Sequence, residues 1–173
     1  MSPLQVTVIG DSHADPEKYS FCEKLGELLA KMKLIVITGG RSGVMEAVSK
    51  GAYQAGGITV GILPSSDKND SNQFCRVIIP TGLGHARNTL TVLAADVVIV
   101  VGGKAGTLTE IGFAWINHKP MIAVKKFGGW AEKMSGQKID SRRKDKILGV
   151  NTLDEVKNEL LKIIKGLNIP QPY

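Results

Sequence analysis

The stretch Val97-Val98-Ile99-Val100-Val101-Gly102-Gly103-Lys104-Ala105-Gly106-Thr107-Leu108-Thr109-Glu110 decides the fold. Five consecutive branched apolar residues suit a strand covered on both faces, the environment of a parallel sheet. The glycines behind them let the backbone turn sharply and approach a ligand closely. A helix opening there presents unpaired N–H groups, which favour an anion. Glu110 stands three residues after Thr107 and so lies one turn along the same helix face. The segment predicts a phosphate seat on Gly102, Gly103, Lys104, Gly106 and Thr107, with a reactive carboxylate at its rim. The same T-x-x-E spacing also describes a capping box, in which Thr107 and Glu110 would only satisfy free backbone donors. Thr152-Leu153-Asp154-Glu155 repeats the spacing without a glycine turn before it, and there it reads as a helix cap alone.

Outward from this segment, strand-like apolar runs alternate with helical patterns, which predicts an α/β, doubly wound domain with a mostly parallel sheet and helices on both faces. Leu4 to Ile9 reads as the first strand. Asp15-Pro16-Glu17 then supplies an N-cap, a proline at the first helical position and an early acid for a helix to about Met32. Leu34 to Thr38 and Ile58 to Leu63 read as strands around a helix from Val44 to Ala55. A polar loop from Pro64 to Phe74 precedes a strand from Cys75 to Ile79. Helices are expected from His85 to Ala95 and from Thr107 to about Asn117, with a strand from Met121 to Val124. Phe127 to Ser141 has little apolar periodicity and reads as a loop, and Thr152 to Lys165 as a closing helix.

The chain of 173 residues, 43% hydrophobic and 22% charged, suits one globular domain. Cys22 and Cys75 lack metal-type spacing and no secretory leader precedes the first strand, so both are expected to be reduced in a cytoplasmic protein. No apolar run approaches the roughly 18 residues of a membrane span, and no metal site is expected. The net charge of +6 is concentrated between Lys125 and Lys146, where eight basic residues face Glu132, Asp140 and Asp145. That tract reads as solvated loop, as a nucleic-acid contact or as a lid attracting a phosphorylated ligand; nucleic acid ranks last overall as a partner.

Three glycine-bearing turns follow inferred strands: Gly10-Asp11-Ser12, Gly39-Gly40-Arg41-Ser42-Gly43 and Gly102 to Gly106. All should meet at the carboxyl edge of the sheet, where doubly wound folds bind ligands. The first lacks the later glycines of G-x-G-x-x-G and no G-x-x-x-x-G-K-[ST] occurs, which excludes an ordinary NAD fingerprint and a P-loop. Gly10, Ser12, Gly39 and Gly40 join the expected nucleotide-binding residues.

The run Thr38-Gly39-Gly40-Arg41-Ser42-Gly43-Val44-Met45-Glu46-Ala47-Val48, with Gly51-Ala52, Gly56-Gly57, Gly61-Ile62-Leu63-Pro64 and Gly106-Thr107-x-x-Glu110, resembles the lonely-guy (LOG) superfamily over about residues 4 to 124. Arg87-Asn88 and the longer glycine turn are more similar to its short prokaryotic branch, related to DprA/Smf and to molybdenum-cofactor carrier proteins. The resemblance implies a Rossmann-like fold and hydrolysis of the N-glycosidic bond of nucleoside 5′-monophosphates, releasing base and ribose 5-phosphate, with Glu110 and Arg87 as catalytic residues. No cofactor is required for that chemistry. A non-catalytic nucleotide or pterin carrier is the alternative, and Lys104 and Asn88 favour it, because the family's turn carries a second glycine and its Arg is followed by Lys. His85 reads as a turn residue rather than a catalyst. The apolar content of the helices around His85 to Ala95 and Thr107 to Trp115, together with the resemblance, predicts a homodimer or larger homo-oligomer.

Overall fold

The computed structural model describes residues 3–167. Seven strands form one sheet: β1 (Gln5–Gly10), β2 (Ile35–Thr38), β3 (Thr59–Leu63), β4 (Val77–Pro80), β5 (Val97–Val101), β6 (Met121–Val124) and β7 (Leu148–Val150), in the order β4-β3-β2-β1-β5-β6-β7. Every pairing is parallel, with Val8 opposite Ile99 and Gly10 opposite Val101 at the centre. The chain builds outward from β1 to β4, then returns to start β5 on the other side of β1. Strand order thus reverses between β1 and β5, and the crevice outside their carboxyl ends is where such sheets bind ligands.

β5 is buried along its whole length, and its side chains divide between the two layers. Val97, Ile99 and Val101 pack with helices α1 (Pro16–Lys31), α2 (Val44–Gln54) and α6 (Leu153–Gly166). Val98 and Val100 pack with α3 (Asn88–Leu93), α4 (Ala105–Ile116) and α5 (Gly129–Met134). Period-two alternation in a strand covered on both faces gives this division directly. Asp15 caps α1 by accepting from the Lys18 amide at 2.9 Å, with Pro16 at the first helical position as expected.

Several expected boundaries are corrected. The region expected as one helix from His85 to Ala95 is a 3₁₀ turn over Gly84–Arg87 followed by α3. Gly82 before that turn and Gly84 at its first position, both with positive φ, hold the chain out of α-helix there. The expected strand Cys75 to Ile79 begins two residues later and ends one later, at Pro80, and α4 opens at Ala105 rather than Thr107. The stretch Phe127 to Ser141, expected as loop, contains α5, and β7 was not expected at all. α5 has six residues and β7 three, each too short to carry a periodic signal. Tertiary packing makes them: Ala131 and Ile147 are buried in the α3–α4 layer, and Val150 on the opposite face.

Cys22 and Cys75 are buried and unpaired, and burial pushes the Cys22 thiol up to about 12. No helix among the described residues is long and apolar enough to cross a membrane. Within the basic tract Arg143 is docked, and the other seven basic residues are exposed. Arg143 is buried, stacks over Trp115 at 4.7 Å, donates to the Lys119 carbonyl at 2.9 Å and pairs with Asp145. Trp115 in turn donates from Nε1 to Asp140 at 2.8 Å.

Candidate functional site

The three glycine turns meet at the β1/β5 crevice, and two of them are bonded to each other. The Val44 amide donates to the Asp11 carbonyl at 3.0 Å, and the Ser42 hydroxyl to the Ser12 carbonyl at 2.8 Å, which fastens the β2 turn to the β1 turn. Asp11 forms a largely buried ion pair with Lys18 at 2.8 Å. The space beside Gly102 is filled by that pair, since a β-carbon there would strike Asp11 Oδ2 and come within 3.2 Å of Lys18 Nζ. Asn72 reaches from the β3–β4 connection to hold the β2 turn twice, donating from its amide to the Gly40 carbonyl at 2.8 Å and from Nδ2 to the Arg41 carbonyl at 2.9 Å. The Asn72 clamp gave no sequence signal, because an asparagine in a polar loop is ordinary.

The β5 turn has its direction set from behind. Gly102 and Gly103 have φ of 63° and 108°, a region that side-chain-bearing residues rarely enter. Their carbonyls accept from the amides of Ala131 and Trp130 at 2.9 and 3.1 Å. The stretch expected as loop therefore buttresses the glycine turn and occupies its carbonyls. Gly106 sits in the first turn of α4, and a β-carbon added there would meet nothing within 4 Å. Packing does not require glycine at that position, and glycine costs a helix about 1 kcal/mol relative to alanine. Its presence is consistent with a ligand approaching the helix start.

The capping-box alternative for Thr107 and Glu110 fails. Lys104 is the N-cap residue of α4 and no side chain caps that helix, so Thr107 falls inside it. At the opposite end of the chain, Thr152 and Glu155 do form the reciprocal box. Thr107 is buried against Gly103, whereas Lys104 and Ser12 are exposed at the mouth.

Glu110 is 7% exposed and, among the described residues, makes no hydrogen bond and no contact ion pair. Burial pushes its carboxyl up to about 7, with the nearby positive charge of Arg87 acting in the opposite direction. Arg87 is 8% exposed. Burial lowers its pKa, Glu110 raises it and Arg41 lowers it further. Among the described residues its Nε has no partner, and its Nη1 reaches Thr91 Oγ1 only at 3.5 Å. The guanidinium rests on the β2 turn: a β-carbon at Gly39 would lie 2.5 Å from Nη1. Two ionisable groups of opposite sign thus face one another, buried and incompletely satisfied, at the one edge where the glycine turns meet. Buried polar groups are normally hydrogen-bonded, and perturbed, unsatisfied ones mark candidate functional sites.

Asn88 is buried and bridges α3 to α4, donating from Nδ2 to Thr109 Oγ1 at 3.1 Å and to the Gly106 carbonyl at 3.5 Å. The residue after Arg87 therefore fixes the first turn of α4 rather than facing solvent. His85 is exposed in the 3₁₀ turn. Among the described residues no cluster of His, Cys, Asp and Glu is arranged to hold a metal ion.

The SLOG cluster4 family model matches residues 3–157, and the chain belongs to that family. A protein of Archaeoglobus fulgidus is 42% identical over 125 residues, covering 72% of this chain and 82% of that one. The molybdenum cofactor binding protein of Rippkaea orientalis superposes with a TM-score of 0.80 at 32% identity, over 95% of this chain and 99% of that one. The molybdenum cofactor carrier protein of Chlamydomonas reinhardtii gives 0.81 at 28% identity, over 95% and 99%. Family and neighbours together support binding of a nucleotide or cofactor.

Proposed function

We propose that this member of the SLOG cluster4 family binds a phosphorylated nucleotide or pterin-type cofactor across the β1/β5 crevice, with the phosphate on the β5 turn and Arg87 near the far end. The observation that carries this reading is the β5 turn itself. Its carbonyls are engaged by α5, and the first turn of α4 is left open at Gly106. Amides of Gly103 to Thr107 would receive the phosphate, and Lys104 would add charge from the rim. The similarity to molybdenum cofactor binding and carrier proteins makes a carrier the first form of this function. The test is calorimetric titration with AMP and with a phosphorylated pterin. Saturable binding that Lys104→Ala weakens several-fold supports the reading, and absence of binding by either ligand overturns it.

One observation favours a catalytic form. A carrier has no need of a buried carboxyl without a hydrogen bond, yet Glu110 is held in that state opposite Arg87. Cleavage of the C1′–N bond of a nucleoside 5′-monophosphate builds positive charge on the ribose. An ionised Glu110 beside C1′ would stabilise that charge and take a proton from the attacking water, giving ribose 5-phosphate and free base. Chromatography for released base after incubation with a panel of nucleoside monophosphates separates the two forms. Base release abolished by Glu110→Gln establishes the hydrolase, and no release from any member leaves the carrier.

Assembly into a homodimer or larger oligomer accompanies this reading. Leu83, Leu90, Leu93 and Ile116, each between 41% and 52% exposed, lie on the 3₁₀ turn and the helices behind the site. Solitary exposed apolar residues are ordinary, but four on neighbouring elements suit a subunit contact.

A further inference from the structure

The β2 turn carries positive charge that no protein group answers. Arg41 is exposed, and among the described residues its guanidinium makes no hydrogen bond and no ion pair. It stands two residues beyond Gly39, on whose bare α-carbon Arg87 rests. Asn72 fixes the carbonyls of Gly40 and Arg41, those of the two peptide groups flanking the Arg41 α-carbon, so the turn presenting Arg41 is held in place. Arg87 lies nearby with Nε unpartnered, and the two like charges disfavour each other. Among the described residues the one acid acting on Arg87 is Glu110, which makes no contact pair with it.

β2 and β5 flank β1, so their turns are two strand spacings apart, about 10 Å. A single phosphate on the β5 turn cannot also neutralise the β2 turn. We propose that Arg41 and Arg87 form a second anion subsite, and that the ligand is doubly phosphorylated, with one phosphate on the β5 turn, the other at Arg41 and Arg87, and the sugar between them at Glu110. A nucleoside 3′,5′-bisphosphate has this chemistry, with phosphates on opposite sides of one ribose. Arg41 supplies specificity: guanidinium forks suit phosphate, and an exposed one on a fixed turn at the rim selects for the second phosphate.

This subsite rests on the phosphate reading of the β5 turn, and its test separates the two. AMP and adenosine 3′,5′-bisphosphate are titrated onto the full chain and the ratio of their dissociation constants is read. The bisphosphate binds at least about tenfold tighter than AMP, the factor expected of one charge-assisted contact. In Arg41→Ala that ratio collapses toward one, whereas in Lys104→Ala both ligands weaken together and the ratio survives. AMP binding with no preference for the bisphosphate, or a preference that survives Arg41→Ala, overturns the second subsite alone. Binding of neither ligand overturns the subsite, and if the phosphorylated pterin also fails to bind, the β5 phosphate seat falls with it.

Discussion

Removing the charge of Glu110 should stabilise this protein at neutral and alkaline pH, and by an amount the structure sets. The carboxyl titrates at about 7 when folded, against an ordinary value of 4.5. Below 4.5 it is protonated in both folded and unfolded chains and contributes nothing. Between the two values the unfolded chain loses its proton while the folded chain keeps it, so stability falls by about 1.4 kcal/mol for each pH unit. Above about 7 both states are ionised and the full penalty is present, which over that interval amounts to about 3 kcal/mol. Glu110→Gln keeps the shape of the protonated acid and cannot ionise. Its unfolding free energy, from denaturant titrations, should match that of the parent near pH 4 and exceed it by about 3 kcal/mol near pH 8. For a chain of this length that is a rise in Tm of about 6–12 °C. Curves for parent and variant that stay parallel across this range would refute the reasoning, since they would mean that Glu110 is solvated or paired in the folded protein. A stability gain coupled to loss of function is the usual sign of a group retained for its chemistry.

Gly106→Ala should gain about 0.5–1 kcal/mol in stability, because the added methyl meets nothing, yet weaken AMP binding at least several-fold; unchanged affinity would place the ligand elsewhere. If Glu110 acts as the ionised partner of a developing oxocarbenium ion, kcat/KM for nucleoside monophosphate hydrolysis rises with pH and levels off above about 7, and a profile falling through that range would assign it the acid role instead. The double change Leu90→Asp with Leu93→Asp should convert an oligomer to monomer in light scattering, with circular dichroism unchanged; an unaltered assembly would exclude that face. Arg143→Ala should cost about 1–3 kcal/mol, because it removes the stack on Trp115 and leaves the Lys119 carbonyl unpaired, and near-ultraviolet circular dichroism should report the altered tryptophan. A loss below about 0.5 kcal/mol would show that Arg143 is not docked on Trp115.

Sequence alone determined the doubly wound layout and the edge at which the glycine turns meet. Five branched apolar residues at Val97 to Val101 suit a strand buried on both faces, and their place in an ordered series of strand, turn and helix makes that sheet parallel and fixes where the turns gather. Periodicity and turn chemistry are local, so they survive in a string of letters. Tertiary structure alone decided what Glu110 is. Thr107 to Glu110 and Thr152 to Glu155 share one spacing, and only the second closes into a cap, because α4 begins two residues before Thr107 and carries Glu110 into a buried space beside Arg87. The clamp of Asn72 on the β2 turn, the support of the β5 turn by α5 and the unanswered charge of Arg41 and Arg87 join residues from different βα units. Their energies depend on burial and on distance across the sheet, quantities that exist only once the chain has folded.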